Sequence, residues 1–436
     1  MNQKAKHHSL FRTALVSGAI AAISTMVVPG LNFSVNATLK TGPKAIVDEA
    51  WQIVNREYVD GTFNQLDWQA VRQDLLSQEY TSPEQAYTAL RDVLEQLEDP
   101  YTRFMDPKQY ERLTNQTAGE LSGVGMQLKL DEESKALMVV SPIKNSPAIE
   151  AGIQSGDEIL AIDGISTEGL SVEKAAEKIR GNVGTEITLR IRRDSIEDFD
   201  VTLTRARIEL EAVRYRLNQE GNRKIGYIQL REFNSHASEQ MLEAIEELQQ
   251  EQAEGFVLDL RGNPGGLLRS SIEIARMWMD AGAIVSTIDR EGDRQEVRAN
   301  KTALTDLPIV VLVDKNSASA SEIVAGALKD NKRAVIMGDR TFGKALVQSV
   351  FSLSDGSGIA VTIAHYYTPN GTDISSTGVT PDVEVKLTEA QKKQLSRDPQ
   401  LVGTKQDPYY SEAISILSAK SPSRPLAVIE GSSSRD

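Results

Sequence analysis

The stretch Phe256–Gly282, FVLDLRGNPGGLLRSSIEIARMWMDAG, decides the architecture. It opens on FVLDL, apolar apart from Asp259, which reads as a strand buried on both faces rather than a half-exposed one. Gly262, Pro264, Gly265 and Gly266 then stop the strand, and apolar residues recur at helical spacing. Strand, glycine turn and helix make the repeating unit of an α/β protein. The unit recurs on either side. KIGYIQL, AIVSTIDR, PIVVLVD and RAVIMGD read as strands, HASEQMLEAIEELQQEQ and SEIVAGALKDN as helices. A long strand pair, VQSVFSLSDGSGIAVTIAHYYTPNG, turns at Asp355–Gly358. These segments assign an α/β core to residues 207–385.

The texture differs upstream. Residues 38–118 are expected to form a helical domain, because AIVDEAWQIVNREYV and SPEQAYTALRDVLEQLED repeat apolar residues every three or four positions. Ser82, Pro83 and Gln85 fit a capped helix start. Tyr101, Phe104 and Tyr110 fall in a turn-rich stretch. Residues 119–206 read as a compact sheet module, with strands in GVGMQLKL, ALMVVSPI, DEILAIDG, EITLRIRR and DFDVTLTR and helices in SPAIEAGI and SVEKAAEKIRG. Residues 386–436 hold two weak helical patterns and a Ser-rich tail expected to be flexible.

Of 436 residues, 40% are hydrophobic and 25% charged, enough apolar content for sizeable cores in several domains. The formal net charge of −14 opposes binding to nucleic acid. Residues 1–37 read as a secretory signal peptide: Lys4, Lys6 and Arg12, then the apolar run Ala14–Leu31, then Val35-Asn36-Ala37 as a small-residue cleavage pattern. A retained anchor is the alternative. The absence of cysteine suits an exported protein large enough to fold without disulfides, and it removes thiolate nucleophiles and thiolate metal ligands.

Four histidines are present: His7 and His8 in the leader, then His236 and His365. The usual base for nucleophilic catalysis is therefore scarce, and a serine–lysine pair leads. NSASASE (Asn316–Glu322) sets Ser319 at a helix start, where Ala320 offers an unpaired amide to an oxyanion. The same residues spell a helix cap, S-x-x-E, which needs no catalysis. Lys344 lies 25 positions after Ser319, among Phe342, Gly343, Ala345 and Leu346. Burial there disfavours the ammonium, and a neutral amine can take a hydroxyl proton. A surface lysine is the plainer reading. Gln348 would share a strand face with Lys344 and hold its amine. Gly265 or Gly266 in DLRGNPGG can aim a second amide at the oxyanion. The glycine loop Gly123, Val124, Gly125 and Met126 can receive a peptide's terminal carboxylate beside an open strand edge, or can be a simple turn.

These residues resemble the carboxyl-terminal processing proteases of the cyanobacterial and plastid type. The likeness rests on ELSGVGMQL, SPAIEAGIQSGDEILAIDG, DLRGNPGGLL, NSASASEIVAGALKDN, GDRTFGKALVQ, YYTPNGTDI and GVTPDVEV. It implies a multidomain α/β fold: a helical N-terminal region, a PDZ module, a ClpP/crotonase-like protease core and a C-terminal segment. It implies Ser319 as nucleophile, Lys344 as general base, Gln348 as its orienter, and the amides of Gly265 and Ala320 as oxyanion hole. Gly123 to Met126 would bind the C-terminal tails of protein substrates, with Arg180 coupling tail binding to activity. No cofactor or metal is implied. Substrates would include membrane-associated ones, such as a photosystem II reaction-centre precursor, in the thylakoid lumen or periplasm, and the enzyme would form a homodimer. A non-catalytic PDZ adaptor and a crotonase-like acyl-transfer enzyme are the competing readings.

Overall fold

The computed structural model describes residues 42–194 and 196–419. The expected signal peptide and Ser-rich tail lie outside the described residues.

Four parallel strands form the centre of the core, in the order Arg223–Leu230, Phe256–Asp259, Ile309–Val313 and Ala334–Gly338. Phe256 pairs with Gly226 on one side and Ile309 on the other. Antiparallel Val213–Glu220 closes one edge and Val383–Glu384 the other. All of Phe256–Asp259 and Ile309–Val313 is buried, as their unbroken apolar runs require. On one face the helices Ala237–Gln250, Leu268–Trp278 and Ala320–Asp330 share a core around Phe256, Trp278 and Leu328. On the other, the helix Pro408–Ala419 lays Tyr409, Tyr410, Ala413 and Leu417 on Ile225, Tyr227, Val257, Val310 and Leu312. The weak SEAISIL pattern is thus part of a structural layer. Asp407 fixes it in place, because Arg261 donates to both Asp259 and Asp407 at 2.6 Å.

A second sheet orders Arg103–Met105, Gly358–Tyr367, Ala283–Asp289 and Arg294–Arg298, with Leu346–Ser352 also paired to Gly358–Tyr367. The N-terminal helices Pro43–Glu57, Trp68–Ser77 and Pro83–Glu95 pack their apolar faces against Phe104, Ile359 and Val361 of this sheet. The helical region therefore shares its core with the α/β part. The stretch read as turns holds a strand, Arg103–Met105, and a helix, Pro107–Ala118. A three-residue strand is too short to show a period; pairing with Gly358–Ala360 makes it one. At the Pro83 helix Gln85 accepts from the Thr81 amide at 2.8 Å, while Ser82 makes no side-chain cap.

The middle module orders its strands Met126–Leu130, Leu137–Pro142, Glu158–Ile162, Glu186–Arg192 and Phe199–Thr204. It joins the core through a two-stranded ribbon, Glu120–Gly123 with Ala206–Glu209. Met126–Leu130 is an edge strand, and the helix Val172–Ile179 packs alongside it. No helix among the described residues is long and apolar enough to cross a membrane.

Candidate active site

Strand Ile309–Val313 delivers the chain to Ser319, the N-cap of Ala320–Asp330. Ser319 has φ 52° and ψ −111°, a conformation that a residue with a side chain keeps only under external constraint. Glu322 supplies that constraint. Its carboxylate is fully buried, and Oε2 accepts from the Ser319 amide at 2.8 Å and the Lys344 amide at 2.9 Å. Oε1 accepts from the Gly343 amide at 2.7 Å and the Thr341 hydroxyl at 2.6 Å. The S-x-x-E pattern thus does more than cap a helix: its acid ties the serine loop to the lysine loop. Tyr366 adds a second tie, its hydroxyl lying 3.2 Å from the Ser319 carbonyl and against the Lys344 carbonyl.

The Lys344 amine sits 4.3 Å from the centroid of the Tyr101 ring. Burial pushes its pKa below the ordinary lysine value, and the positive charge of Arg103 adds to the effect. Asp99 and Glu322 pull the other way. His7 and His8 lie outside the described residues. His236 lies 3.3 Å from Glu120 and 3.6 Å from Glu209. His365 is next to Tyr366 on one strand, so its side chain leaves the opposite face.

Gly265 has φ 105°, and its turn lies directly on the serine. A Cβ there would stand 2.8 Å from the Ala318 carbonyl oxygen, 3.0 Å from Ser319 Cβ and 3.1 Å from the Ala320 nitrogen. Only glycine permits the approach. The Gly265 amide donates to Asn263 Oδ1 at 2.9 Å, so binding an oxyanion there requires that bond to be exchanged. Ala320 is the first helical residue, where the amide has no acceptor within the helix.

Gln348 pairs with Thr362, just after a register shift between Val347 and Gln348. Lys344 precedes the strand, which begins at Leu346. The shift skips Ile363 on the partner strand, and before Leu346 the Ala345 carbonyl still accepts from the Tyr366 amide at 2.9 Å. Gln348 Nε2 is buried without a hydrogen-bond partner.

In the middle module Val124 is buried, and its carbonyl accepts from the Ala148 amide at 2.8 Å. Gly123 pairs with Ala206 in the ribbon, and Met126 begins the edge strand. Gly125 has φ 78°, and a Cβ there would meet Ser146 Cβ at 2.3 Å. Arg180 falls just past the helix Val172–Ile179 and is exposed. Arg205 is the arginine that sequence reasoning missed. Nearly buried, it donates to the carbonyls of Ile179 at 2.7 Å and Glu186 at 2.8 Å, fixing the end of that helix to the sheet. Nothing in DFDVTLTR distinguished it from a surface arginine. Among the described residues no group of three or more His, Cys, Asp and Glu could hold a metal ion.

Residues 224–385 match the model of peptidase family S41, and residues 138–193 that of the PDZ domain. The chain is 43% identical over 348 residues to a carboxyl-terminal-processing protease of Synechocystis sp., covering 79% of this chain and 82% of that one. It is 43% identical over 346 residues to carboxyl-terminal-processing peptidase 2, chloroplastic, of Arabidopsis thaliana, covering 77% of this chain and 67% of that one. Among solved structures, a photosystem II D1 C-terminal processing protease aligns with a TM-score of 0.54 at 35% identity, over 85% of this chain and 100% of that one.

Proposed function

The chain belongs to the carboxyl-terminal-processing proteases of peptidase family S41, and on that premise we propose that Ser319 is its nucleophile and Lys344 its general base. The neutral amine takes the hydroxyl proton as Ser319 Oγ bonds to the scissile carbonyl carbon. The amides of Ala320 and Gly265 receive the oxyanion, the latter after release from Asn263. The C–N bond breaks, the leaving amine takes the proton from Lys344, and water then hydrolyses the acyl-enzyme. Gln348 is the orienter: a neutral amine can accept from its unpartnered Nε2, whereas an ammonium has no acceptor.

One observation carries this reading. Glu322 Oε2 bonds both the Ser319 and the Lys344 amides, so the nucleophile and base loops share one buried anchor. A silent adaptor would have no use for that anchor or for the strained serine. The edge strand Met126–Leu130 and the loop Gly123–Gly125 would capture the substrate's C-terminal tail, with Arg180 in a coupling role. By kinship with the D1 processing protease, the substrate class is the tail of a membrane-associated photosystem subunit precursor, met in the thylakoid lumen or the periplasm by a homodimer. Purified Ser319→Ala and Lys344→Ala proteins should unfold like the parent yet leave a tail peptide intact; turnover by either would overturn the assignment.

A further inference from the structure

Tyr101 comes from the helical region, in the turn before strand Arg103–Met105. That turn is held firmly to the core. The Asp99 carboxylate accepts from the Tyr101 amide at 3.0 Å and from the Thr102 hydroxyl at 2.7 Å. It also accepts from the Thr362 hydroxyl at 2.6 Å, and the Thr362 amide donates to Thr102 Oγ1 at 3.0 Å. Thr362 lies on the strand that carries Tyr366, which touches both catalytic loops. The Tyr101 turn is therefore tied to the strand that carries Tyr366.

The Lys344 backbone is anchored, but its side chain has four rotatable bonds. Among the described residues the amine makes no hydrogen bond; the Tyr101 face, 4.3 Å away, is its one directional contact. We propose that Tyr101 is a positioning residue for the base, its ring face seating the Lys344 amine. The proposal rests on the serine–lysine reading. A ring face attracts a cation, so this contact opposes burial and Arg103 and sides with Asp99 and Glu322 in setting where the amine titrates. It also keeps a flexible side chain in one place, which a proton transfer requires.

The test compares Tyr101→Phe with Tyr101→Leu, using kcat–pH profiles on a tail peptide. Phenylalanine keeps the face and should stay within about twofold of the parent, with an unmoved profile. Leucine keeps the burial but loses the face. The plateau should fall about tenfold through misplacement. The acid limb should move down by about half a pH unit, because a cation-stabilising contact is gone. A second readout needs no turnover: Lys344 Cε chemical shifts, titrated in the Ser319→Ala background, should show the same downward move on Tyr101→Leu. If the leucine protein does not fold, Tyr101→Met takes its place. An unmoved profile and titration with leucine or methionine overturns the proposal, as does a phenylalanine protein as impaired as the leucine one. Lys344→Ala is assayed in parallel. If it is inactive while the Tyr101 proteins behave as the parent, only Tyr101 loses its role; if it is active, the dyad itself fails.

Discussion

Around Ser319 the amides of three residues converge on one buried carboxylate, while along Met126–Leu130 one edge of the strand is left without a strand partner. The first arrangement holds a serine in a conformation it would not choose. The second leaves backbone groups free for an incoming chain. Cleaving an amide demands groups fixed before the substrate arrives, whereas gripping many different tails demands an open, sequence-tolerant edge. Perturbing the first region should therefore lower kcat, and perturbing the second should raise KM.

The largest effect expected is on the dyad. Ser319→Ala and Lys344→Ala should each lower kcat by about 10⁴-fold or more, with tail-peptide affinity unchanged by calorimetry. A parallel loss of affinity would erase the division between the regions. Next is Glu322→Gln. The amide has one acceptor oxygen for four donors, so at least one contact becomes donor against donor. Unfolding in denaturant should show a loss of about 3 kcal/mol, and kcat should fall about 100-fold as both loops loosen. An unchanged kcat in a folded Glu322→Gln protein would mean that the shared anchor does not matter to chemistry.

The pH dependence is smaller and sharper. In the proposed dyad the amine acts when neutral, and burial lowers its pKa, so kcat should rise with pH, about tenfold per unit below that pKa, and level off beneath the ordinary lysine range. KM should not follow the same curve, because no lysine of the dyad lies in the groove. The mildest is Gly125→Ala. Its positive φ and the Ser146 contact should distort the loop and raise KM about tenfold, leaving kcat within about twofold. A change in kcat instead would show that the groove and the site are mechanically coupled.

Much of this comparison was legible in the residues. FVLDL and PIVVLVD announced buried parallel strands because both faces are apolar, and GVGMQLKL announced an edge strand behind a glycine loop. Ser319 and Lys344 stood out because histidine was scarce and cysteine absent. What stayed hidden depends on pairing between distant segments. Tyr101 does lie in a turn, but the strand after it, Arg103–Met105, stayed hidden, since a three-residue strand has no period and its partner lies at Gly358–Ala360. Glu322 read as a cap because its other donors are about twenty positions away. Asp407, holding Arg261 from the last layer, carried no signal at all.

The most direct test follows the first chemical step by intact mass, mixing the full chain with an activated tail-peptide ester. The account predicts a burst of acyl adduct on Ser319, faster as pH rises through the lowered lysine pKa, and no burst from Lys344→Ala. An adduct on another residue, or a burst from Lys344→Ala at the parent rate, would contradict it.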